Sequence, residues 1–201
     1  MAQLKMYRFT DVPFEELTLP EGYSFSHYSE KNRERDIHDW NECIKTWTES
    51  EETDEQRFKQ EIFDIKDITP EEDLWFLDYN NEHIGTATSF VYKETGMGDM
   101  HWVGIKKEFR GKGLSKYLSY IIIKTLHDRG VKYISLTTSE GRPAAVKSYL
   151  TAGFLPVEYD VGMVERWENV LYTFGIESVQ MLNDDSTPYK IIYAKKQEEK
   201  I

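Results

Sequence analysis

The sequence predicts a mixed α/β fold. Short runs of alternating apolar and polar residues are typical of half-buried strands, and apolar residues spaced by three and four between them are typical of helices. Glycine and proline separate the two kinds of segment. The chain has 201 residues, 39% of them hydrophobic. That is enough for one sizeable core, so we expect residues 1–201 to form a single domain.

The N-terminal third contains two predicted strands and two predicted helices. The strands are expected at Leu4–Tyr7 and, by alternation, at Tyr23–His27. A capping box of Thr53 with Gln56 marks the start of the second helix. The apolar faces of the two helices consist of Ile37, Trp40, Ile44 and Trp47 in the first, and of Phe58, Ile62 and Ile65 in the second.

Three consecutive strands are expected after Pro70, where the second helical stretch should end. Short turns at residues 80–82 and 96–98 separate them, so they form a meander. The three strands are predicted at Leu74–Tyr79, Ile84–Tyr92 and Met100–Ile105.

Helices and strands alternate in the rest of the chain. Gly130 is expected to end a helix that begins near Leu114, and Gly153 a shorter helix that Pro143 opens. The other segments are strands at Tyr133–Thr137 and Leu155–Val161, a helix at Trp167–Phe174, an apolar patch at Lys190–Ala194 and a charged tail at Lys195–Lys200. Helices placed between strands, around a central meander, indicate a mixed sheet.

Charge is unevenly distributed along the chain. The formal net charge of −11 opposes binding to nucleic acid, whose affinity for proteins comes mainly from Lys and Arg. In residues 30–73, sixteen Asp or Glu against seven Lys or Arg leave −9. Residues 106–116 hold five Lys or Arg and one Glu. A solvated face explains the acidic run, whereas the basic run surrounds glycines between a strand and a helix.

We expect a cytoplasmic protein that contacts no membrane. The residues after Met1 do not resemble a signal peptide, and no stretch approaches the roughly 20 apolar residues of a membrane span. Cys43 is the only cysteine, and a lone cysteine cannot form an internal disulfide, which fits a reducing compartment. The sequence allows a monomer or a homodimer.

The turn from Arg110 to Ser115 is the strongest signal for a ligand. The first turn of a helix offers backbone N–H groups that suit a phosphate, and glycines let the backbone approach it closely. The turn does not fit a P-loop, because Gly113 follows Lys112, and it does not fit the dinucleotide fingerprint, because Lys116 occupies the place of the third glycine.

A third phosphate-binding pattern does fit. Arg110-x-x-Gly113-x-Ser115 resembles the Arg/Gln-x-x-Gly-x-Gly/Ala pyrophosphate loop of the GNAT superfamily of N-acetyltransferases, with a small Ser at the last position. Residues 142–154 resemble that superfamily's later motif, Asn-x-x-Ala-x-x-x-Tyr-x-x-x-Gly-Phe, with Arg142 in place of Asn. The residues in register are Ala145, Tyr149, Gly153 and Phe154.

The resemblance covers residues 74–159 and implies a fold and a cofactor. The fold is a mostly antiparallel central sheet, flanked by helices, whose two central strands splay apart around the pantetheine arm of acetyl-CoA. Residues 30–73 then correspond to acceptor-side helices, and residues 162–201 to a C-terminal helix and tail. The implied cofactor-binding residues are Val103, Gly104 and Ile105, through their backbone, and Arg110, Gly111, Lys112, Gly113, Leu114 and Ser115 in the turn.

The resemblance also implies direct acyl transfer, with no covalent enzyme intermediate and no metal. Tyr149 aligns with the family's general-acid tyrosine, which would protonate the leaving thiolate. His101, expected by alternation on the same strand face as Val103, is the candidate base through a water molecule. Glu140 and solvent are alternatives for that base. Cys43 then needs no nucleophilic role and is expected to be a small buried residue.

Together these observations predict an N-acetyltransferase that uses acetyl-CoA and the primary amine of a small molecule. The acceptor is expected to be cationic, because the acidic remainder of the chain would attract a cation. Two alternatives stay open. One is an acyl-CoA-binding sensor or interaction module without turnover, and the other is an acyltransferase with a different acyl donor or an oxygen acceptor.

Overall fold

The computed structural model describes residues 3–45 and 53–195. These residues form nine strands and six α-helices. The strands are β1 (Leu4–Phe9), β2 (Tyr23–His27), β3 (Leu74–Tyr79), β4 (Glu82–Val91), β5 (Gly98–Ile105), β6 (Tyr133–Thr138), β7 (Leu155–Glu158), β8 (Ser178–Asn183) and β9 (Pro188–Tyr193). The helices are α1 (Arg33–Ile44), α2 (Asp54–Phe58), α3 (Pro70–Asp73), α4 (Ser115–Asp128), α5 (Pro143–Thr151) and α6 (Met163–Phe174).

The chain divides into two compact units, a central unit of residues 10–134 and a terminal unit of residues 1–9 with 135–201. In the central unit, β2, β3, β4 and β5 pair in that order, and every pair is antiparallel. The predicted meander is therefore confirmed.

Helices α1 and α2 cover one face of this meander. Ile37, Trp40 and Ile44 of α1 are buried in one apolar cluster with Phe58 of α2 and Phe76 of β3. This confirms the helical stripe that the sequence predicts, although Trp47 lies outside the described residues.

Local signals predict the helix ends with one exception. The capping box is present, since Gln56 N–H donates to Thr53 Oγ1 over 3.2 Å and Thr53 N–H donates to Gln56 Oε1 over 3.0 Å. Gly130 follows α4 with φ of +74°, as a helix stop requires. The sequence predicts that Pro70 ends a helix, but in the structure Pro70 begins α3. Proline fits this first position because the N–H it lacks would have no partner inside the helix.

The terminal unit has the strand order β6-β1-β7-β8-β9. Strands β1 and β7 pair antiparallel, β7 and β8 parallel, and β8 and β9 antiparallel. Strand β8 is not among the predicted elements. A register shift between Met181 and Leu182 buries two neighbouring residues, and this removes the alternation by which a strand is recognised.

The fold class is thus confirmed as mixed α/β with mostly antiparallel strand pairing and flanking helices. The splay of two central strands and the single domain stay predictions. Among the described residues, no helix is long and apolar enough to cross a bilayer.

Candidate functional site

Strand β5 leads into the candidate site and contains an irregularity that the sequence does not predict. Its pairing with β4 shifts register, so that Ala87 alone faces both Trp102 and Val103. Trp102 has φ of +45°, a conformation that bulky residues seldom adopt. The irregularity is a β-bulge, and it interrupts the alternation that was expected to place His101 and Val103 on one face.

Gly104 follows the bulge and is required by close packing. A Cβ at this position would lie 2.7 Å from the carbonyl oxygen and 2.9 Å from the carbonyl carbon of Cys43, near the end of α1. Backbone atoms cannot move away as the end of a side chain can, so only glycine allows α1 to pack against β5 this closely. The predicted cofactor residue Gly104 therefore also has a structural role.

Cys43 is buried, as expected of a small core residue. Burial raises the pKa of its thiol to about 12, because the thiolate would lose its hydration. The side chain stays a protonated thiol at neutral pH and is a poor nucleophile.

The glycine turn joins β5 to α4 in a conformation that requires glycine. Gly111 and Gly113 have φ of +73° and +72°, where other residues are strained. A Cβ at either position would meet no described atom within 4 Å. The two glycines are therefore required by backbone conformation and not by crowding, and the space above them is open to a ligand.

The start of α4 is suited to an anion. Leu114 precedes the helix and provides no side-chain cap, and the first turn contains no acidic residue. Arg110 Nε donates to the carbonyl of Ile105 over 2.7 Å, which holds the turn against the end of β5. Within the first turn, Tyr117 N–H donates to the Leu114 carbonyl over 3.1 Å. The start of the helix also carries the positive end of its dipole, which favours an anion such as phosphate.

The lysines of the basic run differ in their partners. Lys106 Nζ lies 2.7 Å from Asp39 Oδ1 in a partly buried ion pair, so its charge is already balanced. Lys112 Nζ lies 4.8 Å above the ring of Phe109, and Lys112 is exposed. Such an exposed cation–π contact is worth only about 0.5–1 kcal/mol, so Lys112 can turn towards a phosphate.

His101 is a weaker base than its residue type indicates. Burial lowers the pKa of its ring to about 4, and a hydrogen bond with the Glu61 backbone offsets this only in part. The buried Nε2 atom has no hydrogen-bond partner in the described part of the chain. The imidazole is therefore neutral at pH 7, but its conjugate acid is far stronger than an alkylammonium of pKa about 10.

Tyr149 lies on α5 in the terminal unit, with its ring 6.0 Å from that of Phe154. Burial raises the pKa of its phenol to about 12, while the charge of Arg142 acts in the opposite direction. The side chain is half-buried, and its hydroxyl forms no hydrogen bond to another described residue. A protonated hydroxyl without a protein partner is suited to donate to a ligand.

Glu140, the alternative base, is held in an ion pair. Both of its oxygens contact Arg166, one of them 2.8 Å from Nη2. Hydrogen bonding to Arg166 lowers the pKa of this carboxyl. A carboxylate stabilised in this way accepts a proton less readily, so Glu140 is unsuited to be a general base.

Glu61 contacts the bulge of β5 and is not among the residues that the sequence predicts for the site. It lies on a π-helix, Lys59–Phe63, that continues α2, and its Oε2 accepts a hydrogen bond from Trp102 Nε1 over 3.0 Å. A signal was present, because Glu61 stands three residues after Phe58 and one before Ile62, within an apolar helical stripe. A charge at such a position is uncommon unless it has a role.

No group of three or more His, Cys, Asp or Glu side chains among residues 3–45 and 53–195 could hold a metal ion. The polar groups near β5 include the His101 imidazole, the Trp102 indole and the Glu61 carboxylate, which can form hydrogen bonds and stabilise charge.

Comparison with known proteins gives a family match. A family model described as the Acetyltransferase (GNAT) family matches residues 34–154. No curated protein matches the chain.

Solved structures share the fold at low sequence identity. A GCN5-related N-acetyltransferase from Sphaerobacter thermophilus has a TM-score of 0.60 and 19% identity, over 77% of this chain and 48% of that one. Glucosamine-6-phosphate N-acetyltransferase from Arabidopsis thaliana has a TM-score of 0.50 and 16% identity, over 71% and 97%. AAC(6')-Iy, in complex with the bisubstrate analogue CoA-S-monomethyl-acetylneamine, has a TM-score of 0.53 and 14% identity, over 69% and 95%. The chain thus spans about half the length of the first of these structures.

Proposed function

Because the chain belongs to the acetyltransferase (GNAT) family, we propose that it transfers the acetyl group of acetyl-CoA to the primary amine of a small cationic molecule. The transfer is direct. The amine nitrogen attacks the thioester carbonyl carbon and the carbon–sulfur bond breaks. The nitrogen loses one proton to solvent, and CoA leaves as a thiolate that solvent then protonates.

The glycine turn is the observation that carries this proposal. Gly111 and Gly113, with positive φ and open space above them, precede a helix whose first turn has no side-chain cap and no acid. This arrangement supports binding of the CoA pyrophosphate by the backbone of residues 110–115. Arg110 and Lys112 add positive charge beside it, and the backbone of residues 103–105 pairs with the pantetheine arm.

Tyr149 is assigned to the leaving group through its place in the second motif. With a pKa of about 12, the phenol keeps its proton at pH 7. A free thiol has a pKa near 8.5, so full proton transfer to the thiolate would be uphill by roughly 3.5 pKa units. Tyr149 therefore stabilises the developing thiolate by donating a hydrogen bond, and solvent completes its protonation.

The nucleophile is the neutral fraction of the acceptor amine. His101, with a pKa of about 4, cannot deprotonate an ammonium efficiently, although it can accept a hydrogen bond through a water molecule. Solvent is the proton acceptor in this proposal, and His101 at most orients the water that receives the proton.

Two of the solved relatives support an amine acceptor. One is by name a glucosamine-6-phosphate N-acetyltransferase, and the other is bound to a CoA–acetylneamine conjugate. The net charge of −11 favours a cationic small molecule over nucleic acid. We place the reaction in the cytoplasm, with a monomeric or homodimeric enzyme and no membrane partner.

Thiol release from acetyl-CoA over a panel of amines tests the proposal. The expected result is acceptor-dependent thiol release, with a mass increase of one acetyl group on the acceptor. Binding of acetyl-CoA without turnover on any amine would indicate an acyl-CoA sensor instead of an enzyme. Turnover only with a longer acyl-CoA would indicate a different acyl donor, and turnover only with an alcohol would indicate an oxygen acceptor.

A further inference from the structure

A π-helix places a carboxylate over the bulge of β5. Asp64 N–H donates to the carbonyl of Lys59 over 2.8 Å, a bond that spans five residues instead of four. Such widened turns are rare and frequently occur at functional sites. Here the widened turn carries Glu61.

Trp102, whose positive φ is unusual for a bulky residue, holds Glu61 in position. Its Oε2 accepts the indole N–H of Trp102 over 3.0 Å, and the Trp102 ring packs 5.7 Å from that of Trp40. Trp102 lies within the bulge, and its positive φ sets the direction of the indole side chain. Since Val103 comes next, Glu61 lies beside the strand segment that the proposed function assigns to pantetheine.

Glu61 has no cationic partner among the described residues. Lysines near it in sequence are bound elsewhere, Lys59 to Asp64 and Lys66 to Glu94. Glu61 is partly buried, whereas other acids of this region without such a partner, for example Glu71, are exposed. A partly buried carboxylate that no cation balances is costly, and a cationic ligand would remove that cost.

Two buried polar atoms lie on the same face of the sheet. Thr88 pairs with His101 across β4 and β5, and Thr88 shares the face of Phe90, which packs in the cluster under α2. Thr88 Oγ1 and His101 Nε2 have no hydrogen-bond partner in the described residues, and the Thr88 side chain is fully buried. His101 also contacts the Glu61 backbone. Unsatisfied polar atoms that are buried so close together indicate a missing partner.

We propose that Glu61 binds an ammonium group of the acceptor and that the acceptor is a diamine. The carboxylate stabilises the charged form of the group it contacts, and a protonated amine cannot attack a thioester. The ammonium at Glu61 is therefore not the nucleophile, and a second amine of the same molecule takes the acetyl group. The indole of Trp102 adds a cation–π surface. This inference rests on the proposed function for the reaction, but the cation site itself does not depend on turnover.

A binding measurement tests the cation site without turnover. Titration of 1,4-diaminobutane into the CoA-saturated protein should give a Kd for the wild type and a Kd at least about tenfold weaker for Glu61→Gln. Glu71→Gln removes the same charge from an exposed position and should bind like the wild type. Equal affinity of Glu61→Gln and the wild type overturns the proposal, as does equal weakening in both variants, which would indicate only long-range charge.

Turnover then tests the diamine against a monoamine of the same length. The wild type should acetylate 1,4-diaminobutane with a kcat/KM at least about tenfold above that of 1-aminobutane, and Glu61→Gln should bring the two values together by lowering the diamine value alone. Equal losses on both substrates would make Glu61 a structural residue. Diamine binding that depends on Glu61 but yields no acetylated product would contradict the proposed function and leave the cation site intact.

Discussion

Tyr149 keeps its proton throughout the physiological pH range, because burial raises the pKa of its phenol to about 12. Tyr149→Phe retains the ring contact with Phe154 and removes only the hydroxyl. We expect kcat to fall by on the order of 100-fold and the Kd of acetyl-CoA to stay the same.

Tyr172→Phe is the matched control for this variant. Tyr172 lies on α6 in the same unit and is 48% exposed, so loss of its hydroxyl should leave kcat unchanged. If Tyr149→Phe instead weakens acetyl-CoA binding or lowers Tm, Tyr149 has a structural role.

The pH dependence of the reaction follows from His101. Because its pKa is lowered to about 4, the imidazole is already deprotonated at pH 6 and does not titrate above it. We expect kcat/KM for an alkylamine to rise about tenfold per pH unit, until the amine itself loses its proton near pH 10. The profile should be the same in His101→Gln. An inflection between pH 6 and 7 that this variant abolishes would restore His101 as the general base.

At the scale of secondary-structure elements, Gly104 fixes the distance between α1 and β5. Gly104→Ala places a Cβ within 2.7 Å of the Cys43 carbonyl oxygen, so α1 must move. We expect the free energy of unfolding to fall by about 1–3 kcal/mol, measured by denaturant titration. Gly141→Ala is the control, since its Cβ would lie an ordinary 3.7 Å from Ser139 Oγ. Equal stability of the two variants would show that the approach of α1 is not tight.

The elements that could be predicted from the sequence are those determined by local chemistry. The capping box at Thr53 depends on residues three apart, and the glycine turn depends on φ at Gly111 and Gly113. The bulge at Trp102 could not be predicted, because it is defined by the register of β5 against β4. The π-helix around Glu61 was also missed, because its widened turn leaves the apolar spacing close to that of an α-helix.

The candidate site shows the same division. The motif predicts a cofactor-binding turn at residues 110–115, and the positive φ of Gly111 and Gly113 is compatible with that prediction. The properties of His101 and Glu140 depend on burial and on an ion pair with Arg166, neither of which the sequence contains. The ion pair of Lys106 could not be predicted for a related reason, because its partner Asp39 lies 67 positions earlier in the chain.

At the scale of the whole molecule, the net charge of −11 should attract a cationic acceptor. Raising ionic strength from about 0.01 to 0.15 M shortens the Debye length from about 30 to 8 Å. We therefore expect the acceptor KM to rise severalfold over this range, while the KM of an uncharged amine analogue stays constant. An acceptor KM that does not respond to salt would show that the net charge does not attract the acceptor, and the fold assignment would be unaffected.

The family match is also a property of the molecule as a whole, because it covers more than half of the chain. The family match spans residues 34–154 and therefore includes most of the helical segment predicted to lie on the acceptor side and the whole of the proposed cofactor turn. The solved relatives at 14–19% identity share the fold but do not identify the acceptor. Its identity must be inferred from this chain's own residues. Substitution of Glu61 tests the proposal that this acceptor is a diamine.

The most direct test of the central claim is the affinity for acetyl-CoA of the wild type, Gly113→Val and Gly96→Val, measured by calorimetry. Gly96 has φ of +69° and the same open surroundings as Gly113, but it lies in the turn between β4 and β5. The two variants should therefore lose similar stability, of order 1–2 kcal/mol. We expect Gly113→Val alone to lose acetyl-CoA binding while the protein stays folded. Binding that survives in Gly113→Val, or that falls equally in both variants, would contradict it.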